Sequence, residues 1–125
     1  MINLMYFFHC LECGHFCIKY ILKKDGNKVV CDYNKKLMSL KLVCCVLKKY
    51  YDSVCCYSVD ELSLIDNYKS FLTLIKTKNG GLHYIVVVKK DEKYVYYYDP
   101  AFVVARRMKV LKFNDRWSHF CCFYN

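Results

Sequence analysis

Cys13 is the residue whose type and position best suit nucleophilic chemistry. It falls in the first turn of a predicted helix, because Cys17 and Ile21 follow it at helical spacing and Gly26 supplies a stop after a basic last turn. The unpaired N–H groups and the positive dipole end of a helix stabilise a thiolate there. Buried structural cysteines occupy such positions too, so Cys13 needs partners before it counts as a nucleophile.

A histidine and an aspartate in the second half of the chain can be those partners. His83 begins one predicted strand and Asp99 ends the next, and a turn centred on Asp91 puts the two directly opposite each other. Cross-strand neighbours have Cβ atoms about 4.5 to 5.5 Å apart, so the carboxylate can accept a hydrogen bond from the imidazole and orient it. A shift of one residue in the turn would make the pair diagonal. With Cys13, the set comprises a nucleophile, a general base and an orienting carboxylate.

Three other histidines are lower-ranked candidates for the base. His9 and His15 flank Cys13 within four residues, and His119 lies in an aromatic strand near the end of the chain.

A metal or redox site is a weaker alternative. Cys10-x-x-Cys13 with His15 and Cys17 has part of the spacing of a zinc site. A helix through Cys13 would turn Cys10 away, and the later cysteines offer no matching second pair. We therefore expect neither a metal nor a cofactor.

The predicted elements divide into a helical first half and a sheet in the second half. Helices are predicted from Glu12 to about Lys24, over residues 34–51, and from the Ser58-Val59-Asp60-Glu61 capping box to Tyr68. Strands are predicted over residues 71–77, 82–89 and 93–99, with further strands at 108–113 and 119–123. This pattern indicates one α+β domain over residues 1–125, its helical N-terminal half packed on an antiparallel sheet.

Composition and charge exclude several classes of protein. The apolar runs are shorter than the roughly 18 residues that span a bilayer, and the start lacks the basic region of a secretory signal, so we expect a cytoplasmic chain. The net charge of +9 is spread as short lysine pairs, which does not favour nucleic-acid binding. The ten cysteines sit in a chain large enough to fold unaided, which indicates reduced thiols, most of them small buried apolar residues.

Four blocks in order along the chain resemble the double-glycine leader peptidases, the papain-like cysteine peptidase domains that process bacteriocin and peptide-pheromone precursors. The nucleophile block is Glu12-Cys13-Gly14-His15-Phe16-Cys17-Ile18, and the histidine strand is Leu82-His83-Tyr84-Ile85-Val86-Val87. Asp99-Pro100-Ala101 matches the Asp-Pro-Ala turn, and residues 113–118 match the closing Phe-x-x-x-Trp-Ser segment.

The resemblance implies a papain-like fold and a peptidase that cuts a leader peptide after a Gly-Gly or Gly-Ala pair. In that family Cys13 would attack the scissile carbonyl, His83 would carry the proton and Asp99 would hold His83. The domain usually forms the cytoplasmic N-terminus of an ATP-driven peptide exporter, so membrane association would come only through such a partner. The chain would then be either a standalone peptidase or a piece of a longer protein.

One position departs from the family pattern. The family has an oxyanion-donating glutamine six residues before the nucleophile, where this chain has Phe7, and the chain contains no glutamine. Removing one such donor costs on the order of 2.7 to 4 kcal/mol in the transition state. The resemblance therefore leaves a second hypothesis, a catalytically impaired domain that binds leader peptides for export.

Overall fold

The computed structural model describes residues 11–78, 80–102 and 104–125. Its helices are α1 (Cys13–Lys24), α2 (Leu40–Leu47) and α3 (Val110–Arg116), with a 3₁₀ turn at Leu62–Leu64. Its strands are β1 (Val54–Ser58), β2 (Phe71–Lys76), β3 (Leu82–Lys90), β4 (Tyr94–Tyr98), β5 (Arg106–Lys109) and β6 (Trp117–Tyr124). No helix among these residues is long and apolar enough to cross a membrane.

All six strands form one antiparallel sheet in the order β1-β6-β2-β3-β4-β5. Alternation along the central strands sends neighbouring side chains to opposite faces. Tyr84 and Val86 of β3 pack in a core with α1 and α2, whereas Ile85 and Val87 pack in a second core on the other face. The predicted α+β arrangement is confirmed, and α1 lies directly on β3.

The segment that packs over the second core differs from the predicted helix. The expected helix from Ser58 to Tyr68 is wrong, because Ser58 pairs with Phe120 as the last residue of β1 and Glu61 makes no capping hydrogen bond among the described residues. Buried apolar side chains three residues apart hold this irregular segment against the sheet: Val59, Leu62 and Ile65. Strand pairing therefore overrode the local capping signal.

Two further predicted elements differ in extent. The second helix begins only at Leu40, because Leu37 has a left-handed φ of 52° and Ser39 is the extended N-cap, its hydroxyl accepting the N–H of Leu42 at 3.1 Å. The strand predicted over 108–113 ends at Lys109 and continues as α3. In a continuous strand, Phe113 would face the opposite side of the sheet from Met108, because the two are five residues apart. The helix instead brings Phe113 into the same core as Met108.

The closing Phe113 to Ser118 block has a structural role. Trp117 is buried, and its indole N–H donates to the hydroxyl of Thr73 at 2.8 Å. Thr73 in turn donates to the carbonyl of Phe120 at 2.6 Å, beside a register shift between β2 and β6.

The cysteines are free thiols, and fewer are buried than expected. Of the nine described, four are buried, so the expectation that most are buried core residues is wrong. The adjacent residues Cys121 and Cys122 do point in opposite directions and lie in the two different cores.

Candidate active site

Cys13 occupies the first position of α1 and is buried where that helix meets β3. The backbone N–H of Tyr84 donates to the Cys13 sulfur at 3.5 Å. The start of the helix and a backbone N–H thus meet at this sulfur.

The close contact between α1 and β3 depends on Gly14. A Cβ at this position would lie 3.2 Å from the ring of Tyr84 and 3.3 Å from the Cβ of Met38. The Tyr84 hydroxyl donates to the Met38 carbonyl at 2.9 Å, which fixes the ring over the glycine. The absence of a side chain at Gly14 thus lets the Tyr84 N–H reach the Cys13 sulfur.

His83 and Asp99 form a buried pair. His83 Nε2 lies 2.6 Å from Asp99 Oδ1, and the two residues are 4% and 7% exposed. Asp99 Oδ1 also accepts the backbone N–H of Ala101 at 2.9 Å, so the turn after β4 fixes the carboxylate. The other ring nitrogen, His83 Nδ1, is buried and has no hydrogen-bond partner among the described residues.

The expectation that His83 and Asp99 lie directly opposite each other is wrong. Val86 pairs with Tyr98, so Asp99 is diagonal to His83. The turn is centred between Glu92 and Lys93 instead, because Asp91 donates its N–H to the Tyr94 carbonyl and its carboxylate accepts the N–H groups of Lys93 and Tyr94. The side chains of His83 and Asp99 still meet, because an imidazole is long enough to reach a diagonal cross-strand neighbour.

The electrostatics of the pair favour a charged histidine. Burial lowers the pKa of His83, but hydrogen bonds and charge from Asp99 and Cys13 outweigh it and raise the pKa from 6.5 to about 9. Burial likewise opposes ionisation of Asp99, yet the contact with His83, the Ala101 N–H and the charge of Arg106 lower its pKa. At neutral pH the site therefore holds an imidazolium beside the Asp99 carboxylate.

Cys17, one helical turn after Cys13, is not equivalent to it. Burial, the Cys13 sulfur and Asp99 together raise the pKa of Cys17 well above its usual value. Cys17 stays a neutral thiol in the core.

The lower-ranked histidines have other partners or lie outside the described residues. His15 is buried, and its Nδ1 lies 2.8 Å from the hydroxyl of Tyr33. Burial, then Lys19 and Lys35, lower the pKa of His15. His119 Nδ1 donates to the carbonyl of Val59 at 2.9 Å.

The positions of His9, Cys10, Phe7 and Asn3 are not among the described residues. Within residues 11–78, 80–102 and 104–125, no group of three or more His, Cys, Asp or Glu side chains is placed to hold a metal ion. A surface groove of about 590 Å³ lies elsewhere, between β1, residues 58–69 and the end of β6, and none of the three candidate side chains lines it.

Two solved structures with this fold are peptidase domains. The peptidase domain of Streptococcus ComA, a bi-functional ABC transporter involved in a quorum-sensing pathway, aligns with a TM-score of 0.65 and 21% identity over 98% of this chain and 93% of that chain. The chain has the fold of the ComA peptidase domain.

A second ComA structure agrees. The peptidase domain of Streptococcus mutans ComA, in complex with a small-molecule inhibitor, aligns with a TM-score of 0.63 and 20% identity over 100% of this chain and 95% of that chain. No protein-family model and no curated protein matches the sequence.

Two contributions to the candidate site come from the backbone and were not predicted from the sequence. The Ala101 N–H could have been inferred, because an aspartate two residues before a free N–H forms an Asx turn. The Tyr84 N–H had no sequence signal, since it depends on how closely α1 packs on β3.

Proposed function

We propose that this chain is a cysteine endopeptidase that cuts leader peptides after a double-glycine motif. Cys13 is the nucleophile, His83 the proton carrier and Asp99 the residue that orients His83. The single observation that carries the proposal is the buried 2.6 Å contact between His83 Nε2 and Asp99 Oδ1, next to Tyr84, the residue whose N–H reaches the Cys13 sulfur.

The reaction follows from these contacts. The Cys13 thiolate attacks the carbonyl carbon of the second glycine, and the charge moves to the carbonyl oxygen, near the N–H groups of the first turn of α1. The His83 imidazolium gives its proton to the leaving amine as the C–N bond breaks. Water then attacks the thioester with His83 as base, which releases the leader and restores the site.

The surface beside the nucleophile suits an apolar peptide. Leu37 is 78% exposed and is held by a hydrogen bond from its N–H to the Leu11 carbonyl at 2.8 Å. The next residue, Met38, touches the Gly14 turn. An exposed leucine in this place can contact an apolar side chain of the substrate.

The fold similarity adds a partner to the proposal. Both ComA neighbours are peptidase domains, and one is described as part of an ABC transporter. We propose that this chain acts in the cytoplasm, either alone or at the cytoplasmic face of the membrane through an ATP-driven peptide exporter.

Cleavage of a defined peptide tests the activity. The reduced protein is incubated with a peptide whose amphipathic leader ends in Gly-Gly, beside Cys13→Ala and the exposed-thiol control Cys31→Ala. We expect the parent and Cys31→Ala to cut after the second glycine and Cys13→Ala to leave the peptide intact. Equal cleavage by Cys13→Ala would contradict the assigned nucleophile.

The second candidate function is leader binding without catalysis, and Phe7 in place of the oxyanion glutamine favours it. In that case the parent binds the leader peptide in a fluorescence titration and leaves it uncut. Phe7→Gln then distinguishes a weakened enzyme from a binding domain. A weakened enzyme should gain on the order of 10²-fold in kcat from the restored donor, whereas a binding domain should gain nothing.

A further inference from the structure

Two cysteines face each other across the β1 and β6 strands, far from the candidate active site in sequence. Cys56 is the direct partner of Cys122 in the antiparallel register. Ser53 and Asn125 form a hydrogen-bonded pair, because each donates its N–H to the other's carbonyl, at 3.2 and 2.9 Å. Pair types alternate along an antiparallel ladder, so Cys56, three residues on, belongs to a non-hydrogen-bonded pair.

That pair type brings side chains closest together. Cα atoms in a non-hydrogen-bonded pair are about 4.5 Å apart, inside the roughly 4.4 to 6.8 Å range of disulfides. Cys56 and Cys122 are both free thiols, and each lies close enough to the other to influence its pKa. The neighbouring thiols Cys55 and Cys121 face Phe123 and Tyr57 instead and lack a cysteine partner across the ladder.

We propose that Cys56 and Cys122 are a dithiol site that a peroxide converts reversibly into a cross-strand disulfide. The peroxide is the oxidant, and the product is a covalent link between the edge strand β1 and the interior strand β6. The site does not depend on the peptidase activity proposed above.

The chemistry balances in two steps. The Cys56 thiolate attacks one oxygen of hydrogen peroxide, the O–O bond breaks and hydroxide leaves, giving a sulfenic acid. The Cys122 sulfur then attacks the Cys56 sulfur, an S–S bond forms, and the sulfenic oxygen leaves as water. Overall, two thiols are oxidised by two electrons and hydrogen peroxide is reduced to two waters.

Burial decides the order and the speed of these steps. Cys56 is half-buried and Cys122 is fully buried, so the oxidant reaches Cys56 first. Burial raises the pKa of Cys56 to about 11 and that of Cys122 further still. Because only the thiolate reacts, oxidation should be slow at neutral pH and should accelerate about tenfold per pH unit.

A third thiol competes for the same intermediate. Cys44 of α2 also lies close enough to Cys56 to influence its pKa. It lies on a separate helix, whereas the ladder holds Cys122 in register with Cys56. The direct cross-strand pair is therefore the expected product.

The test is a peroxide titration of the Cys13→Ala protein, which removes the candidate nucleophile as a competing thiol. After treatment at pH 7 and pH 9, remaining thiols are alkylated and the protein is digested without reduction. Cys56→Ser is the test variant, and Cys55→Ser, one residue away on the opposite face, is the matched control.

The proposal expects loss of two hydrogen atoms in mass, a linked peptide containing Cys56 and Cys122, and full reversal by dithiothreitol. Cys55→Ser should behave as the parent and Cys56→Ser should not. The oxidised form should unfold at higher denaturant concentration, because the link closes a loop of more than half the chain. A Cys44–Cys56 link, or sulfenic or sulfinic acid on Cys56 without a link, would overturn the proposal.

Discussion

Asp99 sets the protonation state in which His83 meets a substrate. Its carboxylate lies 2.6 Å from the imidazole and is the main group that keeps the pKa of His83 at about 9 against the opposing effect of burial. An imidazolium is the form that can protonate a leaving amine. The alkaline limit of cleavage should therefore report the His83 pKa.

Replacing Asp99 should move that limit. In the parent, kcat/KM should fall as the pH rises through about 9, where His83 loses its proton. Asp99→Asn removes the negative charge that raises the pKa of His83. The alkaline limit of cleavage should then move toward pH 6.5, and activity at pH 8 should drop by at least about tenfold. Initial rates between pH 5 and pH 10 measure both effects.

Asp91→Asn is the matched control for this profile. Asp91 also has a lowered pKa, but the cause is its own turn, where it accepts the N–H groups of Tyr94 and Lys93. Its pH profile should match that of the parent. If Asp99→Asn left the alkaline limit of kcat/KM unchanged, the Asp99 carboxylate would not control the pKa of His83.

At the scale of elements, the packing of α1 on β3 places the nucleophile. Gly14 is the contact point, and its neighbours there, Tyr84 and Met38, are joined by a hydrogen bond. Any added carbon must move one of them by a few tenths of an ångström. The N–H that reaches the Cys13 sulfur belongs to Tyr84, so a shift there acts on the nucleophile directly.

Gly14→Ala should lower kcat by about tenfold while changing stability little. The helix gains about 1 kcal/mol of propensity from alanine, which offsets the tighter packing. Gly81→Ala is the control, because its Cβ would meet only Thr77 at 3.6 Å, an ordinary contact. Cleavage rates and urea unfolding of both variants measure the effect. Equal rates for both would show that the α1–β3 contact does not position Cys13.

Sequence patterns predicted the elements that carry the candidate site better than the segment that packs over the second core. The strands around His83 and the helix that begins at Cys13 were predicted because regular alternation and a helix stop are local signals. The helix after Ser58 was predicted wrongly because a local capping signal does not reveal that the same serine pairs with β6. Long-range pairing has no short-range signature.

The His83–Asp99 contact was predicted for a partly wrong reason. The pair meets diagonally, since Asp91 pairs with Tyr94 across the turn and a register irregularity lies between Val87 and Lys89. The alternation of apolar and polar residues along two strands does not reveal how many residues form the turn between them. The contact could be inferred, but its register could not.

At the scale of the whole molecule, the buried pair links stability to pH. The pKa of His83 is raised from 6.5 to about 9, so its stabilisation is complete below about pH 6.5 and is lost as the pH rises through about 9. The pKa of Asp99 is lowered, so its contribution is present above 3.8 and is lost as the pH falls through the lowered value. Both contributions are therefore present together near pH 5 to 6.

Urea unfolding of the parent and His83→Asn at pH 5.5, 7.5 and 9.5 tests this linkage. The free energy of unfolding of the parent should fall by about 1 to 3 kcal/mol, relative to the variant, between the lowest and the highest pH. A constant difference across this range would show that folding does not raise the pKa of His83.

Covalent capture tests the central claim most directly. A leader peptide whose Gly-Gly carboxyl end is replaced by a vinyl sulfone is mixed with the parent, Cys13→Ala and His83→Ala, and intact mass and digestion locate the adduct. We predict one adduct per molecule on Cys13 in the parent, none on that position in Cys13→Ala and much slower labelling in His83→Ala. Labelling of Cys31 or Cys55 at the same rate as Cys13, or equal rates with and without His83, would contradict the account.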